Sequence, residues 1–233
     1  MKQLNFIGTL FFLMLFASSV TAQTDKPFIG MLEYTISVAD TSLAQLVPDN
    51  KMIVYCNDTI VRIENFTQHL GKQVTIRHMA LNKSYLLVET PFGKYAIRAD
   101  HNEIDSAKAN MPSKYTFTKK HWKRKILGRR AKRMEVSHEY FEQPVELLYL
   151  KGYSPRILDV FDEVPGLPVK YTVATSDANF NYELVKMSEY TPNNDLFGIP
   201  SDFEKIGFEE FMDKMIESKM EHMENDPSPK EEK

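Results

Sequence analysis

Cysteine is almost absent: Cys56 stands alone in 233 residues. One thiol excludes an intramolecular disulfide, so packing must supply the stability that many small exported domains take from staples. Cys56 ends the apolar run Met52 to Cys56 and reads as a buried, inert thiol, because reactive cysteines sit in exposed, electropositive surroundings. Glycine is also scarce, nine in all, and no Gly-rich phosphate-cradling loop is present. A serine-hydrolase elbow and a Cys–His pairing are missing as well. The histidines at 69, 78, 101, 121, 138 and 222 are scattered, and none forms the four-residue helical pair that holds zinc. Loop acids such as Asp159, Asp162 and Glu163 read as solvated. The chain is therefore expected to be no enzyme, with no catalytic residue, no metal site and no cofactor. Its net charge of −3 excludes a globally basic nucleic-acid binder.

Long hydrophobic runs are lacking too, and the longest stands at the front. Lys2 precedes the apolar stretch Leu10 to Phe16, followed by small and polar residues up to Ala22. These are the three parts of a secretory signal peptide. The apolar stretch is far short of the ~20 residues that cross a bilayer. Cleavage is expected after Ala22, leaving Gln23 first, and no cysteine follows for lipid attachment. The mature protein is expected in the periplasm, or secreted or surface-associated.

What is present is strand pattern. Short stretches alternate apolar and polar residues at period two, the mark of half-buried β-strands. The first is Phe28 to Val38. Met52 to Cys56 and Thr59 to Glu64 form a hairpin turning at Asn57-Asp58. Lys72 to Met79 puts Val74, Ile76 and His78 on one face and Thr75 and Arg77 on the other. Tyr85 to Glu89 and Tyr95 to Arg98 flank a turn at Pro91-Phe92-Gly93. After a polar stretch, strands resume at Tyr115 to Thr118, Trp122 to Leu127, Arg130 to Val136 and Val145 to Leu150. Val169 to Thr175 and Tyr182 to Tyr190 make a last hairpin. Roughly ten strands with short turns imply a mostly β fold: one antiparallel sheet, strongly curved or a half-barrel, because flat sheets that wide are rare. Pro155 to Val164 is the one helical or irregular insertion.

The end of the chain differs in kind. Ser201 with Glu204 forms a capping-box pattern, and Phe208, Phe211, Met212, Met215, Ile216 and Met223 repeat at helical spacing. The expected organisation is a signal peptide over 1–22, a β domain over 23–200, an amphipathic helix over 201–224 packed on the sheet, and a disordered tail over 225–233.

Lys119, Lys120, Lys123, Arg124, Lys125, Arg129, Arg130, Lys132 and Arg133 crowd around Trp122. Read as a hairpin turning near Gly128, they form a cationic projection. It suits an anionic membrane surface, at about 1 kcal/mol per cation. Equally, such lysines keep an edge strand from pairing with another chain.

Lys125 to Arg133, then Glu146-Leu147-Leu148-Tyr149, Val164-Pro165-Gly166-Leu167-Pro168-Val169 and Leu196-Phe197-Gly198-Ile199-Pro200 follow in an order that resembles the exported GLPGLI-type proteins of Bacteroidetes. The resemblance covers about residues 115–203. Ala131 replaces a cysteine common in that group, and only Gly-Leu-Pro of the signature remains. It implies a fold similar to the periplasmic lipoprotein carriers, a half-barrel with helices over its open side. Asp58-Thr59-Ile60 and Asp105-Ser106-Ala107 resemble the O-glycosylation tripeptides of such exported proteins, and Ser106 is the candidate. The Asn-x-Ser/Thr triplets at Asn57, Asn65 and Asn82 carry no weight behind a signal of bacterial form.

On that architecture the expected role is a non-enzymatic carrier or sensor holding a lipid or apolar ligand between sheet and helix. Ile36, Val54, Val74, Ile76, Leu87, Ile97, Val173 and Phe211 are the expected ligand-facing residues, and Lys123, Arg124, Lys125, Arg129, Arg130, Lys132 and Arg133 the anionic-surface contacts. The alternative is an envelope scaffold that docks other proteins through strand edges or the basic hairpin.

Overall fold

The computed structural model describes residues 27–38, 51–67, 71–81, 83–99, 115–158, 160–161, 163–175 and 178–225. The signal peptide with its cleavage after Ala22, Ser106 and the tail from 226 onward lie outside the described residues.

The protein is mostly β. Its strands are β1 (Gly30–Val38), β2 (Lys51–Cys56), β3 (Ile60–Thr67), β4 (Gly71–His78), β5 (Lys83–Thr90), β6 (Gly93–Ala99), β7 (Thr116–Ile126), β8 (Arg129–Ser137), β9 (Val145–Leu150), β10 (Leu167–Ala174), β11 (Asn179–Glu189) and β12 (Glu204–Gly207), followed by helix α1 (Phe208–Asn225). All twelve strands share one sheet in the order β12-β6-β5-β4-β3-β2-β1-β11-β10-β9-β8-β7. β1 is central. The chain meanders outward from it to β6, resumes at the opposite edge with β7, and meanders back to pair β11 with β1.

The sheet bends. Leu86 on β5 and Tyr171 on β10 are six places apart in strand order, about 29 Å in a flat sheet at ~4.8 Å per strand. Both nonetheless line one cavity, so the sheet closes toward that face. The concave face carries Leu32 and Tyr34, Met52 and Val54, Val61 and Ile63, and then Leu86 and Ile97, as the antiparallel register dictates.

Among the described residues, two elements cover this face. The first is a plug formed by the described residues of 153–164; it begins with a 3-10 turn at Pro155–Ile157 capped by the Ser154 hydroxyl, which accepts from the Arg156 amide. Its Ile157, Leu158, Phe161 and Val164 are buried in the main core. Phe161 meets the rings of Phe117, Tyr115 and Tyr171 at 5.0–6.1 Å. The second is α1, whose Phe208, Phe211, Met212 and Met215 pack on Leu86, Val88, Tyr95, Ile97 and Ile206. Phe211 stands edge-on to Tyr95 at 5.5 Å.

The helix begins seven residues later than the capping-box pattern at Ser201 predicts. Residues 204–207 form β12, the one parallel strand among the described residues, pairing Ile206 with Ile97. The β6 edge offers backbone partners that a helix over the same residues would leave unused, and Glu204 reaches Lys214 in α1 instead of an amide. Acids Glu209 and Glu210 then occupy the first helical turn, as the dipole favours. Ile216 is exposed, so the apolar stripe is not wholly core. The expected strands at Tyr115 to Thr118 and Trp122 to Leu127 are one strand, β7, with a bulge between Lys120 and Lys123.

Two glycines are demanded by geometry. Leu127 (φ 48°) and Gly128 (φ 75°) turn the β7–β8 hairpin with positive φ at both central residues. Gly166 has φ 154°, and a Cβ there would lie 2.4 Å from the Leu150 carbonyl oxygen. That contact explains the glycine of the Gly-Leu-Pro turn: β10 could not otherwise start against β9.

Candidate ligand cavity on the concave face

Beside the plug the described residues leave a hollow on the concave face. A cavity of about 80 Å³ remains, lined by Met52, Ile63, Leu86, Leu158, Val160 and Val173, by Tyr171 and Tyr182, and by the polar groups of Asn65, Thr75, Arg77 and Ser84. The register assembles it: Asn65 opposes Gln73, Thr75 opposes Leu86, and Arg77 opposes Ser84. Tyr171 and Tyr182 stack face to face across β10 and β11, 4.7 Å apart and 3° from parallel. Tyr34 stands edge-on to Tyr171 at 6.1 Å and donates its phenol to the Pro168 carbonyl at 2.8 Å.

Arg77 is the single charged side chain among these lining residues, and it is 7% exposed. Its guanidinium donates to the plug carbonyls of Arg156 and of Ile157, the latter at 3.1 Å. One cation thereby ties the plug to β4. Four residues before it on β4, Gln73 is 1% exposed, and neither atom of its amide has a hydrogen-bond partner among the described residues; the side-chain oxygen of Asn65 opposite is likewise buried and unpartnered among them. Such groups cost about 1–3 kcal/mol each when left unsatisfied; of the two residues, Asn65 lines the cavity and Gln73 does not.

Burial also sets the protonation states. The phenols of Tyr34 and Tyr171 are pushed well above their ordinary range by burial. Burial likewise pushes the Cys56 thiol up to about 12, which fits the inert thiol read from its apolar run. The described lining holds no carboxylate, imidazole or thiol. It offers apolar contact, aromatic faces, an amide, hydroxyls and one cation.

Of the eight expected ligand-facing residues, only Val173 lines the cavity. Val54 is fully buried in the main core and Ile36 is packed at its margin. Ile97 and Phe211 lie in the cluster under α1. Val74, Ile76 and Leu87 are on the opposite face of the sheet, in a separate cluster with Ala96 against Ile199 and Phe203. The expectation assigned the apolar parity of β4 to the interior of the bend. The structure turns Gln73, Thr75 and Arg77 inward and covers the apolar parity with the 190–203 segment, where Arg62 donates to the Leu196 carbonyl at 2.9 Å. Both faces of β4 are covered, so alternation alone does not say which is concave.

The expected cationic hairpin forms as β7 and β8. Its charges divide, however. Arg124 and Arg133 bridge to Glu146 at 3.3 and 3.0 Å, and Arg129 to Glu189 at 2.7 Å. Lys123, Lys125, Arg130 and Lys132 form no ion pair among the described residues.

No family model matches the chain, and no curated protein matches it. Among solved structures it is similar to PNGF-II in two crystal forms, with a TM-score of 0.48 in both and sequence identities of 14% and 13%. The matches cover 81% of this chain but 32% and 33% of those chains. The chain thus spans about a third of the length of the structures it matches.

Proposed function

We propose that this is a non-enzymatic binding protein of the cell envelope, carrying or sensing a small amphipathic ligand in the cavity of its concave face. The observation that supports it is the placement of the Arg77 cation and the Asn65 side-chain oxygen, unpartnered among the described residues, on an otherwise largely apolar hollow. A carboxylate head would accept from the Arg77 guanidinium, and a carboxamide head would donate an N–H to the Asn65 oxygen. Met52, Ile63, Leu86 and Val160 would hold an aliphatic or aromatic body. Pockets of this kind, apolar with a few convergent polar groups, are typical ligand sites.

The reading is tested with the mature chain and a series of n-alkanoates, from butyrate to palmitate, by calorimetry and native mass spectrometry. One-to-one binding is expected, lost in Val160→Trp, which fills the cavity from the plug. Absence of binding across the series, or binding unchanged by Val160→Trp, refutes the assignment.

A further inference from the structure

Between Thr116 and Met134 the chain carries nine Lys and Arg residues and no acid. These form the β7–β8 hairpin at the free edge of the sheet. Its register sorts the cations by face. Lys120 opposes Arg133 and Arg124 opposes Ala131 on one face; Lys123 opposes Lys132, Lys125 opposes Arg130 and Lys119 opposes Met134 on the other.

The two faces differ electrostatically. On the first, Glu135 and Glu146 neutralise Lys120, Arg124 and Arg133 at 2.8–3.5 Å. On the second, Lys119, Lys123, Lys125, Arg130 and Lys132 form no ion pair with any described residue. Like charges directly across a sheet repel, and this chain has 32 acids to 29 strong bases, so acids to quench the second face are not in short supply. Protecting an edge strand needs charge on either face. It does not require one face to be kept clear of acids.

Apolar groups accompany the charge. The bulge between Lys120 and Lys123 leaves Trp122 77% exposed, and the positive-φ turn holds Leu127 48% exposed at the tip. Cations beside an exposed indole match a lipid headgroup layer, where phosphates meet the acyl boundary and tryptophan is enriched. We infer that the face bearing Lys119, Lys123, Lys125, Arg130 and Lys132 docks on an anionic lipid surface, with Trp122 entering the headgroup region. This stands independently of the cavity.

Trp122 is the one tryptophan of the chain, so intrinsic fluorescence reports the contact directly. The mature protein is mixed with vesicles of phosphatidylcholine alone or with added phosphatidylglycerol, and with heparin as a lipid-free polyanion. Expected are a blue shift of Trp122 and co-sedimentation with the anionic vesicles alone, both reversed by salt. Lys123→Ala, Lys125→Ala and Arg130→Ala each weaken binding about five-fold, and together about a hundred-fold; Arg133→Ala, on the neutralised face, costs less than about two-fold. Unchanged thermal melting of the triple variant shows that folding is not the cause. No vesicle binding at low salt, equal loss from both faces, or tighter binding to heparin than to vesicles overturns the inference.

Discussion

Replacing Gln73 by methionine should raise the stability of the protein. Gln73 is 1% exposed and its amide oxygen and nitrogen have no partner. A buried polar group without its hydrogen bonds costs about 1–3 kcal/mol, and methionine has nearly the same length and no such groups to desolvate. Its neighbours on the concave face, Asn65 and Thr75, keep their own contacts. The gain is expected near 1–2 kcal/mol, or roughly 2–8 °C in melting temperature for a domain of this size. Urea unfolding should show a higher midpoint at unchanged slope. Gln73→Glu provides the opposite sign, because it buries a carboxyl where the amide already lacks partners. If Gln73→Met lowers the stability of the protein, the amide already has partners there and the cost assigned to it is refuted.

Two further outcomes test the packing. Tyr34 and Tyr171 are protonated far into the alkaline range because burial penalises their phenolates. Their raised values mean that the stability they contribute is complete below the unfolded value of about 10 and is lost as pH rises through the folded values; phenolate absorbance should show both ionising only together with unfolding, and a reversible titration near 10 in the intact fold contradicts it. Gly166→Ala should cost about 3 kcal/mol in urea unfolding, since its Cβ would meet the Leu150 carbonyl oxygen at 2.4 Å, whereas Gly128→Ala, with nothing within 4 Å, should cost only about 1 kcal/mol of backbone strain; equal costs would assign both effects to backbone conformation alone.

The sheet was legible because it is written in period two, and the hairpins at Asn57-Asp58, Pro91-Phe92 and Leu127-Gly128 were legible because their turn residues are chemically constrained. The bend was foreseeable from strand number. Its direction was not. On β4 the apolar side chains Val74 and Ile76 and the polar Gln73 and Arg77 are all buried, so hydrophobicity carries no sign that tells concave from convex. The one available signal was the polar parity itself: Gln73, Thr75 and Arg77 recur at period two between buried strands, which a core without a polar purpose would avoid. The helix start at Phe208 was hidden for a related reason. Whether residues 204–207 extend or coil depends on the free β6 edge, a partner some hundred residues away that no local cap pattern encodes.

The plug decides what length of ligand this face can take. Ile157, Leu158, Phe161 and Val164 are buried beneath it, at about 1.5–3 kcal/mol each, so lifting the plug exposes roughly 6–12 kcal/mol of apolar burial. A methylene buried in its place returns about 0.8 kcal/mol. A chain must therefore bury on the order of ten methylenes before displacement breaks even, and it must also replace the carbonyls that Arg77 holds at Arg156 and Ile157. Short amphiphiles that fit the 80 Å³ hollow avoid that cost. Affinity across the alkanoate series should accordingly rise over the first few methylenes and then level off or fall. A steady rise to palmitate would mean that the plug yields readily, and the concave face would then be a lipid groove with a lid and not a closed pocket for a small molecule.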